Sequence, residues 1–120
     1  MLILSRFHFD SLANDNSAQS SEVLGVSVIP NDRGDDTPSA VVLTGTQHVP
    51  KFNRSTSDEV RILMALFRVE TKNIDLLVTF NVPTRTSEGE AIGEDGWNTA
   101  QTHFYDFAKS LRIVDFGLFA

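Results

Sequence analysis

The segment Val60–Pro83 constrains the fold more than any other part of the chain. It holds two apolar runs, Val60–Val69 and Ile74–Phe80, joined by the polar Glu70-Thr-Lys-Asn73. Runs rich in Val, Ile, Leu and Phe around a short Asn-containing connection predict a β-hairpin. Val60, Ile62, Met64 and Leu66 fall on one face of the first strand, while Leu63, Ala65, Phe67 and Val69 fall on the other. Alternate side chains of a strand point to opposite faces, so a strand apolar on both needs cover on both. This strand is therefore expected at the centre of a covered sheet.

Around the hairpin, Leu2–Phe9 reads as a first strand, Glu22–Ile29 as a second and Ser39–Val49 as a third. Pro30, the loop Asn31–Pro38 and Pro50 separate them, with Gly, Pro and Asp as turn formers. Pro83–Gly96 reads as a long loop. Trp97, Ala100, Phe104, Phe107, Ala108 and Leu111 recur at three- and four-residue steps, which predicts one amphipathic helix over Trp97–Leu111. Phe104 and Phe107 are expected to be buried against the hairpin. The apolar tail Ile113–Ala120 is expected at a sheet edge. The expected fold is thus α+β, an antiparallel sheet of at least five strands with a C-terminal helix, forming one domain over residues 1–120. One helix covers one face, so the other face is expected to lack cover and to offer a surface for self-association or a partner.

Composition narrows the function classes. The net charge of −6 and the absence of any basic stripe argue against a nucleic-acid partner, since phosphate binding needs clustered Lys and Arg. An acidic surface suits a basic protein partner or simple solvation. The chain has no cysteine, which excludes disulfides and Cys zinc sites. No segment approaches the ~20 apolar residues of a membrane span. Met1-Leu-Ile-Leu4 is too short for a signal-peptide core. A cytosolic or nuclear location is therefore expected, and it removes the force of the Asn53-Arg-Ser55 sequon and the Arg33-Gly-Asp35 tripeptide.

Catalytic and metal constellations are weak. His103 and Asp106 lie three apart on the expected helix but lack a third ligand. His8 and Asp10 alternate on an expected strand, and His48 stands alone. Glu88, Glu90, Glu94 and Asp95 lack the spacing of a calcium loop. Neither a phosphate loop nor a nucleophile elbow occurs. The chain is read as a non-enzyme, with no catalytic residue, metal or cofactor expected.

Four segments in order carry a resemblance. Arg6-Phe-His-Phe-Asp10, Val42-Leu-Thr-Gly-Thr-Gln47, Ile74-Asp-Leu-Leu-Val-Thr-Phe-Asn-Val-Pro83 and Val114-Asp-Phe-Gly-Leu-Phe-Ala120 are similar to segments of the Ran guanine nucleotide release factors, Mog-type proteins of PsbP-like fold. The resemblance implies an α/β/α sandwich and a factor that binds the GTPase Ran and promotes guanine nucleotide release, with a role in nuclear protein import in the nucleus and cytoplasm. It also implies that the family's N-terminal half is missing here, including an acidic Val-Pro-Asp-x-Gln-Glu-Val segment associated with Ran binding. One layer of the sandwich would then be incomplete, and exchange activity weak or absent. The acidic residues left to contact a partner are Asp32, Asp35 and Asp36 in one loop, and Glu88, Glu90, Glu94 and Asp95 in another. The alternatives are an interaction or trafficking adaptor without exchange activity, or a PsbP-like photosystem-associated protein.

Overall fold

The computed structural model describes residues 2–50, 57–85 and 93–119. In chain order they form α1 (Leu2–Asp15), β1 (Ser20–Ile29), β2 (Ala40–Pro50), β3 (Ser57–Val69), β4 (Ile74–Arg85) and α2 (Glu94–Ser110). The strands make one antiparallel sheet in the order β1-β2-β3-β4, with β2 and β3 inside. The expected hairpin is β3–β4, turned through a 3-10 segment at Glu70–Lys72 and closed by Asn73 in the left-handed region, at φ +53°. Asn tolerates that conformation better than most residues.

The sheet is covered on both faces. Leu63, Ala65 and Phe67 of β3, with Ala40 and Val42 of β2 and Val82 of β4, pack under Trp97, Phe104 and Ala108 of α2. Phe104 is fully buried and meets Phe80 edge to face, with ring centroids 4.9 Å apart. On the opposite face, Ile62 and Met64 of β3 and Leu43 of β2 pack under Phe9 of α1, with Leu12 beside them. The double-sided apolarity of β3 is thus matched by one helix on each side.

Four expectations are corrected here. Among the described residues the sheet has four strands, not five or more, because Leu2–Phe9 is the first half of α1. Leu2–Phe9 is an apolar-rich run compatible with a short strand, but Ser5, Phe9 and Leu12 face the sheet at helical spacing and Phe7 is exposed. The segment read as a strand therefore supplies the cover expected to be absent, and the second helical layer is present. Phe107 is 41% exposed, because it lies about 100° round the helix from Ala108. Finally, α2 begins a turn before Trp97, and β4 runs past Pro83 to Arg85.

The motif Val42–Gln47 is the seat of α1. Gly45 leaves room for the Phe9 ring, and a Cβ there would overlap that ring and lie 2.9 Å from the Glu22 carbonyl oxygen. Fully buried Gln47 accepts a 3.1 Å hydrogen bond at Oε1 from Asn16 Nδ2, just past the end of α1. At the other end of the sheet, His8 Nε2 donates to Asp75 Oδ2 at 2.9 Å and Arg68 Nη1 donates to Asp75 Oδ1 at 2.7 Å. These bonds tie α1 to the β3–β4 hairpin. They hold the Asp75 carboxyl below its ordinary range, His8 contributing most and Arg68 next.

The C-terminal tail leaves α2 across the end of the sheet rather than along a side edge. Ile113 N–H donates to Thr37 Oγ1 at 2.9 Å, and Phe116 lies beside Pro38, Val69 and Glu70.

Candidate partner-binding surface

The structure places Asp32, Asp35 and Asp36 at one end of α2 and Glu94 and Asp95 at the other, about 25 Å apart for a helix of this length. They cannot act as one contact patch.

At the C-terminal end of α2, the β1–β2 loop is ordered around Asn31. Its Nδ2 donates to Asp35 Oδ1 at 2.8 Å and to the Thr37 carbonyl at 2.7 Å, while its Oδ1 accepts from the Arg33 backbone N–H at 3.1 Å. Thr37 N–H donates to Asp35 Oδ1 at 2.9 Å, and Gly34 supplies the positive φ of +86° that the turn needs. Arg33 reaches out of the loop to the Leu111 carbonyl at 2.6 Å, which fastens the loop to the end of α2. Asp35 is therefore engaged inside the loop. Its carboxyl is held below the usual range, first by the Thr37 backbone N–H and also by Asn31 and Arg33. Asp32 and Asp36 are exposed. Beside this loop a cleft of about 350 Å³ lies between Ile29, Asn31 and Pro38 on one side and Ala108 and Lys109 on the other.

The N-terminal end of α2 is richer. Glu94 and Asp95 occupy its exposed first turn, where carboxylates favour the positive end of the helix dipole. Arg61 of β3 lies 5.1 Å from the Trp97 ring centre and 3.9 Å from Glu94 Oε1. One step further along the strands, beyond the cover of α2, a polar row crosses the whole sheet. Ser20 Oγ and His48 Nδ1 share a 2.9 Å hydrogen bond, His48 Nε2 stands 3.6 Å from Glu59 Oε2, and Thr84 Oγ1 donates to Glu59 Oε1 at 2.8 Å. Cross-strand register puts these residues in line, since Ser20 faces His48 and His48 faces Glu59. Glu22 lines the same shallow surface as Ser20, Thr46 and His48.

Among the described side chains, this end of the molecule gathers Glu22, Glu59, Glu94 and Asp95 near Arg61, and the strand register sets Arg85 opposite Glu59. Of these, only Glu94 and Asp95 stood out in the sequence. Strand alternation was the available signal for the others, because Glu59 shares its face with Arg61 and Leu63. Glu88 and Glu90 lie outside the described residues.

Ser20, His48 and Glu59 have the residue types of a nucleophile, base and orienting acid. The 3.6 Å separation of His48 and Glu59 is an ion-pair distance rather than an aligned hydrogen bond, and the row lies on a shallow surface rather than in an enclosed cleft. The row is better suited to presenting charge than to acyl chemistry. His8, expected beside Asp10 on a strand, sits on α1 and is bonded to Asp75. His103 and Asp106 are exposed on α2. Among the described residues, no three His, Asp or Glu side chains are grouped to hold a metal ion. Nor is any helix among them long and apolar enough to cross a membrane.

The family model described as "Ran-interacting Mog1 protein" matches residues 4–83, from α1 through β4 to Pro83. A protein of Danio rerio named Ran guanine nucleotide release factor is 30% identical over 123 residues, covering 96% of this chain and 67% of the relative. The Homo sapiens protein of the same name is 28% identical over 122 residues, covering 96% and 64%. A Dictyostelium discoideum protein named probable ran guanine nucleotide release factor is 33% identical over 86 residues, covering 65% and 44%. The chain spans about two-thirds or less of the length of these relatives. No solved structure matches it significantly. The matched segment contains α1, the Gly45–Gln47 seat that receives it and all four strands, and on that match the chain belongs to the Ran-interacting Mog1 protein family.

Proposed function

We propose that this chain binds the GTPase Ran through the acidic end formed by Glu22, Glu59, Glu94 and Asp95, and that it promotes release of Ran's guanine nucleotide. The observation that carries this reading is the family match over residues 4–83, joined to an acidic surface that the same fold assembles. A GTPase holds its nucleotide's phosphates with a lysine, backbone N–H groups and a bound magnesium ion, all of positive character. Carboxylates presented on a rigid sheet end can compete for those groups without any catalytic residue or cofactor of their own. Release then follows from differential affinity. The factor binds nucleotide-free Ran more tightly, and nucleotide weakens the factor by the same ratio.

The activity belongs to nuclear protein import, with the protein in nucleus and cytoplasm. Its net charge of −6 supports a basic protein partner rather than nucleic acid. The alternative reading is an adaptor that binds Ran without exchanging its nucleotide.

The test is release of a labelled guanine nucleotide from Ran, with binding measured in parallel by calorimetry. Binding with accelerated release supports the release factor, and binding without release supports the adaptor. Absence of both overturns the proposal.

A further inference from the structure

The two edges of the sheet differ. β4 carries Asp75 and Pro83, and a proline offers no N–H to a new neighbour. β1 carries no Lys, Arg or Pro across Ser20–Ile29 and one charge, Glu22, near its start. Among the described residues it is bonded to β2 on one side only. Leu24, Val26 and Val28 are 52%, 37% and 56% exposed, so half of the exposed large hydrophobic residues among those described lie on this one strand. Val26 and Val28 stand opposite Leu43 and Val41, on the face that α1 covers further in. Most of the charge behind the net −6 lies elsewhere.

We propose that β1 pairs antiparallel with β1 of a second copy about a two-fold axis at Val26, joining two four-stranded sheets into one. An isologous pairing with Val26 on the axis sets Gly25 opposite Ser27 and Leu24 opposite Val28, so the exposed apolar side chains meet. Glu22 then faces Pro30, and no two like charges oppose each other. Moving the axis to Val28 runs each strand into the mate's Asp32–Asp36 loop and sets Asp32 against Leu24. Moving it to Leu24 puts the β1 irregularity between Val23 and Gly25 at the centre of the ladder. The self-complementary register therefore favours a copy of this chain as the occupant of the edge. The axis also puts both α1 helices on the same face of the joined sheet, and α1 carries the exposed Phe7.

The chain's lack of cysteine makes the register directly testable. Opposed Cα atoms of an antiparallel pair lie about 4.5–5.5 Å apart, within disulfide range. Under mild oxidation Val26→Cys should cross-link to its own copy in high yield. Leu24→Cys alone should not, whereas a mixture of Leu24→Cys and Val28→Cys chains should form the mixed disulfide. Val114→Cys, 80% exposed and far along the chain, is the collision control. In light scattering, the mass of the unmodified chain should rise with concentration from 13.3 kDa toward twice that value. Val26→Lys, which sets like charges on the axis, should return it to the monomer with an unchanged circular dichroism spectrum. A monomer at every concentration, or equal cross-linking at positions 24, 26 and 114, overturns the proposal.

Discussion

The ring of Phe9 in α1 lies against Gly45 in β2, filling the space that a side chain at that position would occupy. A helix and a strand 36 residues apart in sequence are thereby matched by one missing Cβ. Gly45 has no need here of a special backbone conformation. Its value is close approach.

Gly45→Ala should therefore destabilise the protein by about 1–3 kcal/mol, the usual cost of forcing extra volume into a packed site. Urea unfolding measures it. Since the clash is with the Phe9 ring, the smaller Phe9→Leu should make the two effects non-additive, with the double variant more stable than the sum predicts.

Phe104 and Phe107 provide a matched pair on one helix. Phe104 is fully buried under the sheet, and Phe104→Ala should cost about 3–5 kcal/mol. Phe107 is largely at the surface, and Phe107→Ala should cost less than about 1 kcal/mol. Equal losses in denaturant titrations would contradict the placement of α2.

The Asp75 carboxyl is held below its ordinary value of 3.8 by His8 and Arg68. A carboxylate whose folded pKa is depressed contributes stability that is complete above its unfolded value and is lost as pH falls through the folded value. Asp75→Asn should thus be less stable than the unmodified protein at neutral pH, by about 1–3 kcal/mol for the lost charge-assisted bonds. The gap should close as pH drops below 3.8. Paired melts across a pH series read both the size and the direction.

Ran binding should depend on one acidic group and not the other. Glu22→Gln, Glu59→Gln and Glu94→Gln together should weaken binding at least tenfold and flatten its salt dependence, because exposed charges act over a Debye length of about 8 Å at physiological ionic strength. Asp32→Asn with Asp36→Asn, at the far end of α2, should leave binding within twofold. Calorimetry at two salt concentrations separates the outcomes.

Much of the sheet was legible in the sequence because its signals are local. The β3–β4 hairpin follows from two apolar runs around Asn73, β1 and β2 from Val-rich stretches bounded by proline, and α2 from Trp97, Phe104, Ala108 and Leu111. The double-sided apolarity of β3 also stated that two layers of cover are required. The acidic site was legible only in part, since Glu94 and Asp95 cluster along the chain whereas Glu22 and Glu59 join them only across strands.

Residues 2–15 show where local reading stops. Their apolar residues fit a short strand as well as a helix, and no stripe decides between them. The decision comes from β2, where Gly45 admits Phe9 and Gln47 meets Asn16, and from Asp75, which holds His8. The sequence alone determined that β3 is buried on both faces and that α2 is amphipathic, because strand and helix periodicity are properties of neighbours in the chain. Only the tertiary structure decided that the second layer is α1 and that the acidic groups of the chain are split between two ends, because those outcomes depend on register across strands and on space left by residues distant in sequence.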